Sequence, residues 1–209
     1  MSIAPTASDV LVIVEVQNDF CAGGALATAD GHKTVPVINA LARHFENVVQ
    51  TQDWHPRRHV SFASAHPGKA PFEVIAMPYG AQVLWPDHCV QGTKGAEFHP
   101  GLDVPHVQLI IRKGYNRNVD SYSAFCMVDG VTRTGLGAYL TERGFKRVFV
   151  AGIATDYCVG GLALDARKAG FETLVIEDAC AAVSPDTAAK AWADMAAAGV
   201  KRIASAEIA

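Results

Sequence analysis

Runs of apolar residues alternate along the chain with stretches in which apolar and polar positions recur at helical spacing. Residues 11–14 and 109–111 are apolar at every position. Strands that are buried on both faces have this pattern, as in parallel sheets covered by helices. The runs predict six strands, at residues 10–16, 47–52, 107–113, 147–152, 173–178 and 201–204.

Four segments between these strands carry the marks of helices. Apolar residues follow Ile38 at i+3, i+4 and i+7, after Thr34 as a predicted N-cap. Near the C-terminus, Ser184 and Pro185 suit an N-cap and a first helical residue. Two more helices are predicted at residues 136–143 and 155–168. The alternation predicts a three-layer α/β/α fold with a doubly wound, mainly parallel sheet of about six strands, in a single domain over residues 1–209.

The stretch from residue 54 to residue 106 shows little periodicity, and it is predicted to be a long loop region. A loop of that length in a compact domain usually has a function. Ligands of such folds bind beyond the carboxyl ends of the parallel strands. The polar residues at those ends are therefore the candidates for chemistry.

Two acidic residues mark the end of the first predicted strand. Glu15 lies within its last positions, and Asp19 follows four residues later. A carboxylate at the end of an apolar strand is costly unless it is paired or has a use. This cost favours a functional role for Glu15, whereas Asp19 is equally well explained as a solvated acid of the loop.

A carboxylate and several imidazoles follow the second predicted strand. Asp53 and His55 point the same way in an extended segment, because residues i and i+2 share a face. His59 follows within the same loop, and His88 lies in a Pro-constrained turn further on. Mixed oxygen and nitrogen ligands suit zinc, iron or manganese. The cluster predicts a divalent metal site, although each histidine taken alone is better explained by exposure to solvent.

A cysteine follows the fourth predicted strand. Cys158 is placed in the first turn of the helix at residues 155–168, where the helix N-terminus favours the thiolate and exposed N–H groups can bind an oxyanion. Lys113 ends the third strand, and it either extends to solvent or lies between a carboxylate and a thiol. The other cysteines considered are expected to be buried and inert: Cys21, Cys126 and Cys180.

Composition and charge narrow the class of partners. The formal net charge of -3 provides no positive surface for nucleic acid or an anionic membrane. No apolar run reaches the roughly 18 residues that a membrane span needs, and the first nine residues lack the pattern of a signal peptide. The sequence therefore predicts a cytoplasmic protein with no nucleic-acid or membrane partner. A homo-oligomer stays open, since many enzymes of this size self-associate.

Five segments, taken in order and at their spacing, resemble one enzyme family over nearly the whole chain. They are residues 14–21, 53–56, 85–89, 113–114 and 152–159. Together they resemble the nicotinamidase/pyrazinamidase branch of the isochorismatase-like cysteine hydrolases. The resemblance implies an amidohydrolase that converts nicotinamide, and pyrazinamide as a further substrate, to the carboxylic acid and ammonia through a cysteine thioester.

The resemblance also implies roles for individual residues. The catalytic residues would be Glu15, Lys113 and Cys158, with the backbone N–H groups of Ala154 and Cys158 as an oxyanion hole and a cis peptide bond before Ala154. The ligands of a divalent metal, with zinc favoured over iron or manganese, would be Asp53, His55 and His88, with His59 as a further ligand in some members. The residues that contact the small aromatic amide would be Phe20, Trp85, Tyr122 and Ala154.

Glu15 departs from the family, whose acid at this position is usually aspartate. A misplacement of about 1 Å can cost roughly a hundredfold in rate. Three other functions stay open. One is a non-catalytic nicotinamide-binding relative, disabled by Glu15; the others are a related hydrolase of carbamoyl or ureido substrates and a thiol redox sensor centred on Cys158. The metal ligands argue against the related hydrolase, and the lack of a nearby resolving cysteine argues against the redox sensor.

Overall fold

The computed structural model describes residues 2–209, and its centre is a parallel sheet of six strands. The strands of the molecule are β1 (Asp9–Val14), β2 (Val48–Asp53), β3 (Val74–Met77), β4 (Gly80–Val83), β5 (Val107–Lys113), β6 (Arg147–Ile153), β7 (Glu172–Ala181) and β8 (Lys201–Ile203). The sheet order is β5-β2-β1-β6-β7-β8, and every neighbouring pair is parallel. The chain winds outward in both directions from β1 and β6, which makes the carboxyl ends of these two strands the topological switch point.

Helices cover both faces of the sheet. They are α1 (Thr34–Ala42), α2 (Leu136–Glu142), α3 (Gly160–Lys168) and α4 (Pro185–Ala197). Alternate residues of β1 point to opposite faces of the sheet and pack in two cores. Leu11 and Ile13 pack in the core that contains α1, whereas Val10, Val12 and Val14 pack in the core that contains the other three helices. The predicted three-layer α/β/α fold with a mainly parallel sheet is confirmed.

Several predicted element boundaries are wrong, among them the end of β7, which runs to Ala181 and not to residue 178. The first strand ends at Val14 and not at residue 16, because Glu15 has a φ of 48°, which an extended strand does not accommodate. Thr34 is the first residue of α1 and not its N-cap; its hydroxyl donates to the carbonyl of Gly31 at 2.7 Å. By contrast, Ser184 does cap α4, since its side chain accepts from the Thr187 N–H.

Local structure differs from the prediction in two further places. The helix predicted over residues 155–168 begins as a π-helical turn (Thr155–Val159), and α3 itself starts at Gly160. Within the predicted loop region, β3 and β4 form an antiparallel hairpin. These strands have four residues each and are largely exposed, so they leave no apolar run for sequence reasoning to find. No helix in residues 2–209 is long and apolar enough to cross a membrane.

Candidate active site

Four neighbouring strands bring charged and nucleophilic residues to one rim of the sheet. Glu15 follows β1, Asp53 ends β2, Lys113 ends β5, and Cys158 lies in the turn after β6. Asp53 and Lys113 are register partners, as are the last residue of β1 and Gly152 of β6. Parallel strands in this order necessarily place their carboxyl ends side by side, which is why residues far apart in sequence meet here.

Lys113 connects the acids of the rim. Its side chain is almost fully buried, and its Nζ lies 2.9 Å from Asp53 Oδ1, 3.1 Å from Glu15 Oε1 and 2.5 Å from the carbonyl oxygen of Ser121. These three acceptors match the three donors of an ammonium group. Burial alone would lower the pKa of Lys113, but the charges around it, above all that of Asp53, raise it well above its ordinary value. Lys113 therefore does not extend to solvent; its direct charged contacts are with two carboxylates, whereas the alternative predicted from the sequence was one carboxylate and a thiol.

Glu15 is a buried carboxylate with one oxygen unpaired. Its Oε1 accepts from Thr51 Oγ1 at 3.2 Å and faces Lys113, whereas within residues 2–209 no group forms a hydrogen bond with Oε2. Burial raises the pKa of Glu15 to about 7, against the opposing attraction of Lys113. Gly152 of β6 allows the backbone of β1 to approach closely just before Glu15, because a Cβ at that position would lie 2.0 Å from the carbonyl oxygen of Val14. The acid is therefore poised to bind or release a proton near neutral pH.

Cys158 lines the pocket but does not have the acidity expected of it. Burial and the charge of Glu15 raise the pKa of the Cys158 thiol well above its ordinary value, although Lys113 opposes them. The expectation that the helix N-terminus would favour the thiolate in the resting protein is wrong, because desolvation and a nearby carboxylate outweigh the helix. The thiol consequently needs a base, and Glu15 lies beside it.

Asp53, His55 and His88 form a compact group of metal-ligand type. Asp53 Oδ2 lies 3.1 Å from His55 Nε2 and 3.5 Å from His88 Nε2. The Nδ1 atom of each imidazole faces a carbonyl oxygen, that of Gly114 at 3.0 Å and that of Pro86 at 2.8 Å. A carbonyl only accepts, so both Nδ1 atoms carry hydrogen, and both Nε2 atoms point toward the same carboxylate oxygen. The His55 Nε2 lies within hydrogen-bond distance of that oxygen, and the deprotonated Nε2 of each ring would instead offer a lone pair to a bound cation.

Such a convergence of lone pairs fits a cation. Burial alone would raise the pKa of Asp53, yet His55 and Lys113 lower it well below its ordinary value, so the carboxylate stays charged. Gly114 leaves room for the group, because a Cβ there would lie 2.5 Å from the His55 ring and 3.0 Å from Asp53 Oδ1. The donor set of one carboxylate and two imidazoles suits zinc or another divalent transition metal.

His59 lies beside this group without presenting a free lone pair to it. Its Nε2 donates to the carbonyl of Asn116 at 2.9 Å, and its Nδ1 accepts from Ser61 Oγ at 2.7 Å. Burial lowers the pKa of His59 to about 4, which keeps the ring neutral. Asp120 is near both His55 and His59, but its oxygens accept from Gln82 Nε2 and the Ser121 N–H. His59 as a further ligand stays a prediction, since His55, His59 and Asp120 also form a group of metal-ligand type.

Aromatic side chains enclose a pocket between the acids and the Asp53–His55–His88 group. Phe20, Trp85 and Tyr122 all line it, as predicted for the substrate walls, and Cys158 and Ala154 line it too. Tyr157 is a further wall residue, with its ring centroid 4.7 Å from that of Trp85. A cis peptide bond joins Ile153 to Ala154, as the resemblance implied. The lining of the pocket is mostly apolar with a few polar groups, as in sites for small aromatic ligands.

Comparison with known proteins identifies the fold family. The model of the isochorismatase domain matches residues 9–207. The chain belongs to the isochorismatase domain family. Within this family it is 55% identical over 199 residues to the nicotinamidase of Acinetobacter baylyi, an alignment that covers 95% of this chain and 93% of the relative.

Solved structures of isochorismatase family members have the same fold. A nicotinamidase/pyrazinamidase from Acinetobacter baumanii superimposes with a TM-score of 0.95 at 57% identity, covering 97% of this chain and 98% of that one. The pyrazinamidase of Pyrococcus horikoshii in complex with zinc matches with a TM-score of 0.78 at 36% identity, covering 94% and 99%. The family resemblance predicted from the five segments is confirmed.

Sequence reasoning gave no role to one residue near the pocket, Tyr157, and left the role of another, Asp19, undecided. The position of Tyr157 one residue before Cys158 was a usable signal. Asp19 is not a solvated acid, since its Oδ2 accepts from the Cys89 N–H at 2.7 Å and its Oδ1 accepts from the Ala25 N–H at 3.2 Å. It therefore ties the loop after β1 to the segment that carries His88.

Proposed function

We propose that this protein is a nicotinamide amidohydrolase that converts nicotinamide and water to nicotinate and ammonia, and that it also accepts pyrazinamide. The observation that carries the proposal is that Lys113 and Cys158 line a pocket that also borders the Asp53–His55–His88 group, with the buried Glu15 in contact with Lys113 at 3.1 Å. The nicotinamidases of the same family, similar over nearly the full chain, support this substrate class.

Catalysis begins with transfer of the thiol proton of Cys158 to Glu15. The pKa of Glu15, raised by burial to about 7, makes the carboxylate a base strong enough to act and weak enough to return the proton. Lys113 stays protonated between the acids and stabilises the charge as it moves. The thiolate is formed only when it is needed, because the resting thiol has a raised pKa.

The sulfur then attacks the carboxamide carbon, and a C–S bond forms as the C=O bond becomes a C–O single bond. The developing oxyanion lies against the backbone N–H groups of Ala154 and Cys158. The C–N bond breaks when Glu15 gives its proton to the departing nitrogen, which leaves as ammonia. A thioester on Cys158 remains.

Water completes the cycle. Glu15, again ionised, takes a proton from a water molecule that attacks the thioester carbon. The C–S bond breaks, the proton returns to the sulfur, and nicotinate leaves. The same carboxylate thus serves twice as base and twice as acid. This role suits a side chain with one oxygen that has no fixed partner among the described residues, as Glu15 Oε2 has none.

Asp53, His55 and His88 would hold a divalent metal, and we propose zinc. When bound, the metal would act as a Lewis acid for the ring nitrogen and so orient the aromatic amide. The zinc complex of the related pyrazinamidase supports this choice. Phe20, Trp85 and Tyr122 would hold the ring between them and exclude water from the thioester. We further propose that the chain forms one domain and acts in the cytoplasm, in line with the sequence expectations.

The experiment is ammonia release from nicotinamide by the purified protein, measured before and after treatment with a chelator. We expect release from the untreated protein, loss after chelation and recovery on addition of zinc. Release that is indifferent to chelation would contradict the metal's role. Turnover of carbamoyl or ureido amides in place of nicotinamide would instead favour the related hydrolase.

A further inference from the structure

Gln17 lies at the point where β1 has ended but β2 continues. The two strands pair as far as Val14 and Thr51, and the Glu15 N–H still donates to the Thr51 carbonyl at 3.3 Å. The positive φ of Glu15 then turns the backbone away from the ladder. Asp53 lies two residues further along β2, where β5 still pairs with it from the other side. The backbone of β1 no longer supplies partners at this position.

The side chain of Gln17 supplies them instead. Its Oε1 accepts from the Asp53 N–H at 2.7 Å, and its Nε2 donates to the Asp53 carbonyl at 2.9 Å. These are the two kinds of hydrogen bond that a parallel neighbour provides. The second hydrogen of Nε2 is donated to the carbonyl of Ala96 at 2.8 Å, and the residue is fully buried. The amide is therefore fully used and cannot swing away without leaving buried polar groups unpaired.

The residue held in this way is the one whose carboxylate joins both halves of the site. Asp53 Oδ1 contacts Lys113, and its Oδ2 faces His55 and His88. Asp53 is also the last residue of its strand, where a backbone held on one side only would be free to shift. Fixing its N–H and C=O together fixes the direction of its side chain, and ligand geometry tolerates errors of only about 0.5 Å.

We propose that Gln17 is a positioning residue that continues the β1 ladder with a side chain and thereby aims the Asp53 carboxylate. The inference rests on the proposed function to the extent that a divalent cation occupies the Asp53–His55–His88 group. Gln17 acts through Asp53 and touches neither the cation nor the substrate.

The test compares Gln17→Met with a matched control, Gln52→Met. Gln52 is also buried and also donates to the Ala96 carbonyl, at 2.9 Å, but its Oε1 accepts from Arg112 and not from Asp53. Zinc affinity is measured by competition with a chromophoric chelator in the absence of substrate. We expect Gln17→Met to weaken zinc binding roughly 10- to 100-fold, the usual effect of removing an outer-shell partner. Gln52→Met should bind zinc much as the unchanged protein does.

Activity at different zinc concentrations separates positioning from general damage to the fold. The nicotinamide activity that Gln17→Met loses at limiting zinc should return at saturating zinc, and urea unfolding of the zinc-free protein should show that the variant is folded before zinc is added. Equal zinc affinities for the two methionine variants would overturn the proposal.

A second variant, Gln17→Glu, sets charge against geometry. A carboxylate near the site would tighten cation binding by electrostatics alone. Loss of the two N–H donors of the Gln17 amide should instead misdirect Asp53 and so weaken cation binding. Weaker zinc binding by Gln17→Glu than by the unchanged protein supports the positioning role, and equal or tighter binding overturns it. The proposal is also overturned if the unchanged protein binds no zinc. Zinc binding without hydrolysis of nicotinamide would contradict the proposed function and leave this test valid.

Discussion

The two ends of β1 carry acids in opposite circumstances. At the amino end, Asp9 is buried, yet both its oxygens are paired: Arg147 donates to Oδ1 at 2.7 Å and to Oδ2 at 2.5 Å, and Thr6 donates to Oδ2 through its N–H and its hydroxyl. Just beyond the carboxyl end, Glu15 is also buried, but one of its oxygens has no hydrogen-bond partner among the described residues.

The pKa values of the two acids move in opposite directions. Burial would raise the pKa of Asp9, but the hydrogen bonds from Arg147 and Thr6 outweigh it and lower the pKa below its ordinary value. For Glu15, burial prevails and raises the pKa to about 7. A fully paired acid is a fixed charge that stabilises the fold, whereas a partly paired acid is able to exchange a proton. Hydrogen-bond satisfaction and depth of burial together distinguish the structural acid from the functional one.

The largest effect is expected from removing the group on which Glu15 acts. Cys158→Ala should lower the rate of nicotinamide hydrolysis by at least about 10⁴-fold, because the covalent step has no other nucleophile. Zinc content should not change, since the thiol is not in the Asp53–His55–His88 group. Cys126→Ala, a buried cysteine outside the pocket, is the control and should keep its rate. Appreciable turnover by Cys158→Ala would refute the thioester route.

The next effect concerns the charge of Glu15 itself. Glu15→Gln keeps the shape of the side chain but cannot accept the thiol proton, so kcat should fall by about 10²- to 10⁴-fold. Glu15→Asp retains the base and should be far more active than Glu15→Gln. Steady-state rates of ammonia release on the two variants check this order. If Glu15→Gln keeps most of its rate, another group carries the proton.

Sequence reasoning succeeded where one local pattern decides the outcome. The apolar runs located the six strands, and the i, i+2 spacing placed the side chains of Asp53 and His55 together. It could not decide the position of Lys113, because only the register between β2 and β5 brings that residue beside Asp53. Gln17 was missed for the same reason, since its partner lies 36 positions further along the chain.

Other details depended on physics that a local pattern does not contain. The end of β1 was misplaced because a positive φ at a non-glycine residue such as Glu15 is imposed by tertiary packing. The acidity of Cys158 was misjudged because the helix N-terminus is a local feature, whereas burial and the charge of Glu15 are not. The functional details of the site are thus the least local, and they were the least predictable.

At the amino end of β1, the same kind of substitution should affect stability and not rate. Asp9→Asn removes the charge that pairs with Arg147, whose side chain is 25% exposed, and should cost about 1–3 kcal/mol of unfolding free energy at pH 7. The kcat for nicotinamide should not change, because Asp9 lies at the opposite end of the sheet from the pocket. Urea unfolding and steady-state kinetics on one preparation measure both quantities. A loss of rate with stability intact would remove the distinction between the two ends.

The smallest effect is the pH dependence of these stability differences, and its sign should reverse between the two ends. The folded-state pKa of Asp9 is depressed, so the stability it contributes is present above its ordinary value of 3.8 and is lost as the pH falls further. Asp9→Asn and the unchanged protein should therefore converge in acid.

The folded-state pKa of Glu15 is raised from 4.5 to about 7, so its contribution is present below 4.5 and is lost as the pH rises through 7. Glu15→Gln should accordingly gain stability relative to the unchanged protein between about pH 4.5 and 7. Urea midpoints measured across this range at constant metal content provide the comparison. Curves for the two variants that shift in the same direction with pH would mean that the folded-state pKa of Glu15 is lowered and not raised. A carboxylate with a lowered pKa would be a weak base for the thiol proton that hydrolysis requires.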